Sequence, residues 1–515
     1  MHPVPSGLAA NPSLPSELVD RLIAVADADL DLTLDLVDRA DLSHAQALAL
    51  FARDEENGVR LARRGRLTAA DVDPVAQPDT ALALLDEGTG SPEWVHLLAA
   101  DPVTERRERL AACPGLPADV VERLAADPDP GVVAELALWT TAETAARLAE
   151  HPHAEVRRAV AVNEATPPDV LAALVTGEGL PPASNCLVCA RETTPFTHDP
   201  ECSRTDCDLG PGDSCDGSHE STVHAVRVAA LRNPATPAEA AVRFADHPSM
   251  LLRRTLAARS DLPPEVCARL AADPVPGVRA DLAENPATGE DVIRVLARDR
   301  DPLVRRALAR HPRIPLDVLV ELARTAKVAA TLLPRVAAAT PAEVEDLAAS
   351  PDPAARMLVA QRRDLPSGTR DALAGDPDAK VVKSVAPHPG LSEGLLRAMV
   401  DRHGVRVLAG VASNPGAGPA LLEYLTRQAP PPRKAFRAIA GHPGASAEAL
   451  LACLADREAR SRAAGHPALP PQVIVELLSD EDARVAEAAA ANPSLPPAVM
   501  EELVNGVDRL AVKGG

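Results

Sequence analysis

Five of the chain's eight cysteines fall between positions 186 and 215, spaced as metal ligands are spaced. Cys186 and Cys189 form C-x2-C, Cys202 and Cys207 form C-x4-C after a twelve-residue gap, and Cys215 follows. His198, His219 and His224 are interleaved or close behind. Thiolates two residues apart can both reach one ion from a tight loop, and a second pair about a dozen residues later closes a four-coordinate shell. Cys186, Cys189, Cys202 and Cys207 answer to that logic. The chemistry is zinc or an iron–sulfur cluster, because both use four cysteines and spacing does not separate them. The bland alternative is a metal-free thiol loop. The same stretch carries Glu178, Glu192, Asp199, Glu201, Asp206, Asp208, Asp213, Asp216 and Glu220 against Arg191 and Arg204. Such an acidic setting would push a cluster toward low reduction potential; without a cluster it is a solvated loop.

The cysteine segment reads GEGLPPASNCLVCARETTPFTHDPECSRTDCDLGPGDSCDGSHE, with Leu180, Leu187, Val188 and Phe196 as its only sizeable apolar groups. That is too little for a core of its own. A metal would supply the missing stability. The expected organisation is an array over 1–175, an acidic cysteine-rich insert over 176–221, and a continuation of the same array over 222–515.

The elements flanking the insert are repeats. Fifty-one prolines would suggest disorder if they were scattered, but they fall in a recurring phrase, NPxLP or HPxLP. Asn11, Cys113, Asn163, Asn233, Asn285, His311, His388, Asn414, His442, His466 and Asn492 each open a version of it. Weaker copies stand at Arg39, Arg64, Glu87, Trp139, Arg259, Ala337 and Arg362. The result is about 18 units of ~26 residues, and the step from Asn163 to Asn233 is the only long one. Within the unit from Arg259 to Asn285, Pro263 and Pro264 suit a first helical turn, where the backbone donors lack partners anyway. Val266 and Leu270 share one face, and Asp273-Pro274 stops the helix. Val278 and Leu282 form the stripe of a second short helix. Two short helices cannot bury their faces alone, so each unit stacks on its neighbours. The fold class is an all-α solenoid of α/3-10 or αα units, a right-handed superhelix.

The phrases NPATPAEAAVRFADHP, NPATGEDVIRVLARD and HPALPPQVIVELLSDEDARVAEAAAANPSLPP resemble leucine-rich repeat variant units, over nearly the whole chain. The resemblance implies alternating α- and 3-10 helices in a superhelix without strands, with HEAT-like repeats as the nearest alternative. One protein of that family carries a small cysteine-rich iron–sulfur segment. Separately, Cys215-Asp216-Gly217-Ser218-His219 resembles the core of the CDGSH iron–sulfur domain. That likeness implies Cys215 and His219 as ligands, joined by Cys202 and Cys207, although the family's upstream C-x-C pair is absent. Cys113, Cys267 and Cys453 lie in repeat positions and read as packing residues.

Arginine recurs six positions before the anchor, at Arg107, Arg157, Arg227, Arg253, Arg279, Arg305, Arg356 and Arg460. Aspartate recurs six positions earlier still, at Asp101, Asp127, Asp273, Asp299, Asp376 and Asp480. A basic ladder could grip a ligand, but recurrence in nearly every unit is what architecture demands, so these residues are expected to tie units together. The anchor Asn or His is expected to cap or close a turn.

Composition narrows the function. The 515 residues carry 53 basic against 74 acidic groups, a formal charge of −21, and only seven aromatic residues. Polyanions are poor partners for such a surface, and base-stacking platforms are lacking, so no nucleic-acid partner is expected. The opening MHPVPSGLAA is neither basic nor apolar enough for a secretory signal. No stretch approaches the roughly 18 uninterrupted apolar residues of a membrane span. A cytoplasmic protein away from membranes is expected. No phosphate loop, nucleophile elbow or HExxH signature occurs. The sequence thus reads as a non-enzymatic scaffold for protein partners. The alternative is an electron-transfer or redox-sensing protein that docks through its repeats.

Overall fold

The computed structural model describes all residues except 1–2, 27–29, 192–195, 200, 203–208, 210–212, 326–330, 429–432 and 515. The chain forms two compact units, Thr68–Val328 and the pairing of Met1–Leu67 with Ala329–Gly515. Both are stacks of short helices, two per repeat, with a core of Leu, Val and Ala. The repeats are αα in kind: 3-10 geometry among the described residues is confined to Ala26, Ala69–Asp71, Val242–Phe244 and Gly404–Arg406, so the α/3-10 alternation implied by the family resemblance is not how this chain builds its units. No helix of the described residues is long and apolar enough to cross a membrane.

The repeat grammar is visible in the unit from Arg259 to Asn285. The helix Pro264–Leu270 starts on a proline and buries Val266 and Leu270, and the helix Pro276–Glu284 buries Val278 and Leu282. Asp273 holds the corner between them. Its carboxylate accepts from the Val275 N–H and pairs with Arg253 of the preceding unit at 2.6 Å. Arg253 also donates to its own unit's His247 carbonyl. The same bond recurs twenty residues apart in Arg107–Asp127, Arg279–Asp299, Arg356–Asp376 and Arg460–Asp480. The recurring arginines are therefore architecture, as their periodicity implied. Burial raises the Asp273 carboxyl, but Arg253 and the Val275 N–H hold it below its ordinary value.

The anchor residues do more than close turns. Asn285 Oδ1 accepts from the Ala287 N–H, while its amide donates to the carbonyls of Ala257 and Arg259, one repeat back. Asn414 and Asn492 repeat this on Ala386 and His388, and on Ala464 and His466. Histidine does half of it: Nε2 of His311, His442 and His466 meets the preceding anchor carbonyl. Arg39, Arg259 and Arg362 reach the equivalent carbonyls with their guanidiniums. In these units the backward bond is kept while the side chain that makes it changes.

The same bond joins the two ends of the chain. Asn11 donates to the Ala490 and Asn492 carbonyls at 2.9 and 2.8 Å, and the helix Pro3–Ala9 packs against Ala483–Ala490. Arg21 bonds Asn505 at 2.7 Å. The first repeat sits on the last as any repeat sits on its predecessor. A signal was present, since residues 10–15 and 491–496 both read ANPSLP.

Candidate metal centre

The insert leaves the array after the helix Pro168–Thr176, which ends on left-handed Gly177, and the array resumes with Glu220–Arg232. The stacking ladder ignores the interruption. Asn233 donates to Ala161 and Asn163 carbonyls, and the helix Glu220–Arg232 packs on Ala154–Val162. The insert is stitched to the repeat it leaves. Ser184 and Asn185 N–H groups donate to the Pro152 carbonyl, Ala154 N–H donates to Asn185, and Arg157 reaches the Pro181 carbonyl at 2.6 Å.

This docking places Cys186 and Cys189 at the start of the short helix Leu187–Arg191. Strand Phe196–Thr197 pairs antiparallel with Ser214–Cys215. The ribbon turns the chain back and delivers Cys215 to the first two thiols, and His219 follows four residues later. The donor atoms of Cys186, Cys189, Cys215 and His219 all lie within 4.8 Å of one another. Cys186 and Cys189 Sγ are 3.6 Å apart, and His219 Nδ1 is 3.6 Å from Cys189 Sγ and 3.4 Å from Cys215 Sγ. Cys186, Cys215 and His219 are buried, and Val188 and Ala154 pack beside them. Gly217, at φ 93°, donates its N–H to Cys215 Sγ.

His219 is the only described residue other than glycine with positive φ, at 56°. A side chain in that conformation costs of order 1–3 kcal/mol, and such residues persist where function fixes them. Here it starts the helix Glu220–Arg232 and turns its ring to the thiols. Burial raises the Cys186 thiol, but the Cys189 N–H, His219 and the neighbouring thiols outweigh it and bring it to about 7. Burial, together with the Cys186 charge, drives Cys189 up to about 11. One thiolate forms readily and opposes ionisation of the next.

The grouping differs from the one that spacing suggested. Cys202, expected to complete the shell with Cys207, lies outside the group of four, and Cys207 lies outside the described residues. The two-residue ribbon pairs Phe196 with Cys215, and it is Cys215 and His219 that stand beside Cys186 and Cys189. His198 is buried but outside the group, with its N–H on the Asp213 carbonyl. His224 bonds Ser249. Cys113, Cys267 and Cys453 are buried in the repeats, and burial pushes Cys113 and Cys453 up to about 12.

The fold and these four residues define an all-α repeat protein with a Cys3His group that could bind a metal. Solved structures similar to the chain include a leucine-rich repeat variant with a novel repetitive structural motif, 20% identical over 53% of this chain and 87% of its own, at a TM-score of 0.29. An engineered protein is 16% identical over 95% and 98%, at 0.15, and a Pds5–Scc1 complex is 14% identical over 92% and 64%, at 0.16. No protein-family model and no curated protein matches the chain. The repeat architecture rests on the chain's own hydrogen-bond ladder.

Proposed function

We propose that the chain is a non-enzymatic repeat scaffold for protein partners, and that Cys186, Cys189, Cys215 and His219 hold one structural zinc ion. The observation that carries the zinc reading is the spacing of the donor atoms. With Zn–S near 2.3 Å and Zn–N near 2.0 Å, a tetrahedral shell has S···S edges of ~3.8 Å and S···N edges of ~3.5 Å. The separations of 3.6, 3.6 and 3.4 Å fit those edges. A bridged cluster distributes its ligands over more than one iron and spreads the opposite thiolates further apart.

In this reading the zinc neutralises thiolates that otherwise oppose one another. It pins the start of the helix Glu220–Arg232 through His219 and fastens the insert 176–221 to the array 1–175, so that 222–515 continues in register. The ion fills a closed shell and catalyses nothing, as structural sites do. The scaffold reading draws on stacked repeats with long exposed helix faces. A cytoplasmic setting, away from membranes and nucleic acid, goes with it.

The redox alternative has one specific observation in its favour: three cysteines and one histidine is the donor count of the CDGSH cluster, and Cys215 and His219 are both in the group. Anaerobic purification with metal analysis and a visible spectrum divides the two. Colourless protein with one zinc per chain is expected; brown protein with iron and sulfide would replace zinc by a cluster and make the insert the working part.

A further inference from the structure

Two rows of arginine run along the second helices of the repeats in Thr68–Val328. In one row, Arg157 and Arg305 bond backbone carbonyls and Arg253 pairs with Asp273; these belong to the architecture. The other row stands one residue later, at Arg158, Arg254 and Arg306, and is exposed. The units between them hold Val228 and Ala280 at this position, five before the anchor, and other units hold residues such as Ser6, Leu82, Ala134, Ala409 and Glu487. Arg437 is the one other arginine there, and Glu458 neutralises it. Architecture does not call for this second row, because most units lack it.

The row borders three cavities of about 530, 470 and 310 Å³ that share lining residues and so form one furrow. Arg232 and Leu251 line both the first and the second, and Arg254 and Asp281 both the second and the third. Small residues such as Ala229, Gly277 and Ala280 line it, while Val162, Leu251 and Leu303 stand 51%, 42% and 46% exposed along it. Arg158, Arg254 and Arg310 have carboxylate partners in Glu155, Asp281 and Glu284. Arg232 and Arg306 have none among the described residues, Arg306 donating only to the Pro302 carbonyl, and Glu164 is the furrow's one acidic group without an arginine. On a chain of formal charge −21, this furrow keeps two unneutralised guanidiniums beside exposed aliphatic side chains.

We infer that the furrow binds an extended segment of a partner protein whose carboxylates meet Arg232 and Arg306 and whose aliphatic side chains cover Val162, Leu251 and Leu303. The inference rests on the scaffold reading above and names the partner's chemistry. A peptide can place single carboxylates opposite the two arginines. A phosphate backbone would meet Glu164, Asp281 and Glu284 along the same path, and the furrow's lining holds no Phe, Tyr or Trp for a base to stack on, its one imidazole, His224, being bonded to Ser249.

The test uses full-length protein and phage-displayed random peptides of roughly 16 residues, long enough for an extended segment to cross several repeats. Peptides rich in Asp or Glu with Leu, Ile or Val are expected. The best binder, measured by fluorescence anisotropy, should lose about tenfold or more in affinity on Arg232→Glu with Arg306→Glu, since charge-assisted contacts are removed and reversed. It should bind an Arg437→Glu control unchanged. Both variants alter exposed side chains, and circular dichroism checks their fold. Basic or uncharged selected peptides would overturn the inference. Acidic peptides that bind the double variant equally well would also overturn it and leave the scaffold reading with a different surface. A library yielding no binder would overturn both. Tight binding of a labelled DNA duplex at about 0.15 M salt, lost in the double variant, would assign the furrow to nucleic acid instead.

Discussion

His388 occupies an anchor position, is 1% exposed, and has both ring nitrogens buried without a hydrogen-bond partner. Burial lowers it from its ordinary 6.5 to about 4. The unfolded chain therefore binds a proton between those values that the folded chain refuses. Stability contributed by the neutral ring is intact above pH 6.5 and is lost as pH falls toward 4, by about 3 kcal/mol at 1.36 kcal/mol per pH unit. Asparagine is the remedy that other units use. Asn285, Asn414 and Asn492 each donate to carbonyls 28 and 26 residues back, which for position 388 are those of Ala360 and Arg362. His388→Asn should gain two amide hydrogen bonds, about 1 kcal/mol each, and should abolish the local loss of stability below pH 6. Repeat arrays unfold without strict cooperativity, so the assay is native-state hydrogen exchange in the helices Ala379–Val385 and Leu408–Ala412, from pH 4 to 8. A variant less stable than the parent at pH 7, or one with the same pH slope, would refute the anchor account.

Other expectations follow from the same geometry. Arg253→Ala leaves Asp273, 4% exposed, without its cation and should cost about 3 kcal/mol, whereas the neighbouring exposed Arg254→Ala should cost under about 0.5; urea midpoints compare them. Because the Asp273 carboxyl is held below its ordinary 3.8, its contribution is present above that pH and is lost as acid protonates the folded form. A Cβ at Gly7 would lie 2.1 Å from the Glu487 carbonyl oxygen. Gly7→Val should therefore loosen the terminal joint and speed amide exchange across Ala483–Ala490, while Gly506→Ala, with nothing within 4 Å, should not. In metal-free protein, His219→Gly should be more stable than His219→Ala by about 1 kcal/mol, because φ 56° suits glycine; equal stabilities would mean the conformation is unstrained.

The repeats were legible because proline and the residue before it fix helix starts and stops locally, and Arg and Asp recur at constant positions relative to the anchor, although only stacking pairs each Arg with the Asp twenty residues on. The backward bond of the anchor was not legible: a turn-closing Asn and a repeat-bridging Asn have the same neighbours in sequence, and only stacking brings the older carbonyls within reach. The joint between Asn11 and Asn492 was missed for a related reason, since a shared phrase at two ends does not reveal whether they meet. In the insert, the C-x2-C pair was identified as one arm of a site. Its partners depended on a two-residue ribbon too short to leave a pattern, so Cys202 and Cys207 were favoured by spacing while chain reversal delivered Cys215 and His219. The letters around Cys215 did carry that information through their resemblance to an iron–sulfur motif.

The most direct test of the centre is zinc-edge X-ray absorption on protein purified without added metal, with Cys202→Ser alongside. One zinc per chain bound by three sulfurs near 2.3 Å and one nitrogen near 2.0 Å, unchanged in Cys202→Ser, is the expected result. Four sulfur ligands, a shell that changes with Cys202, or iron in place of zinc would contradict it.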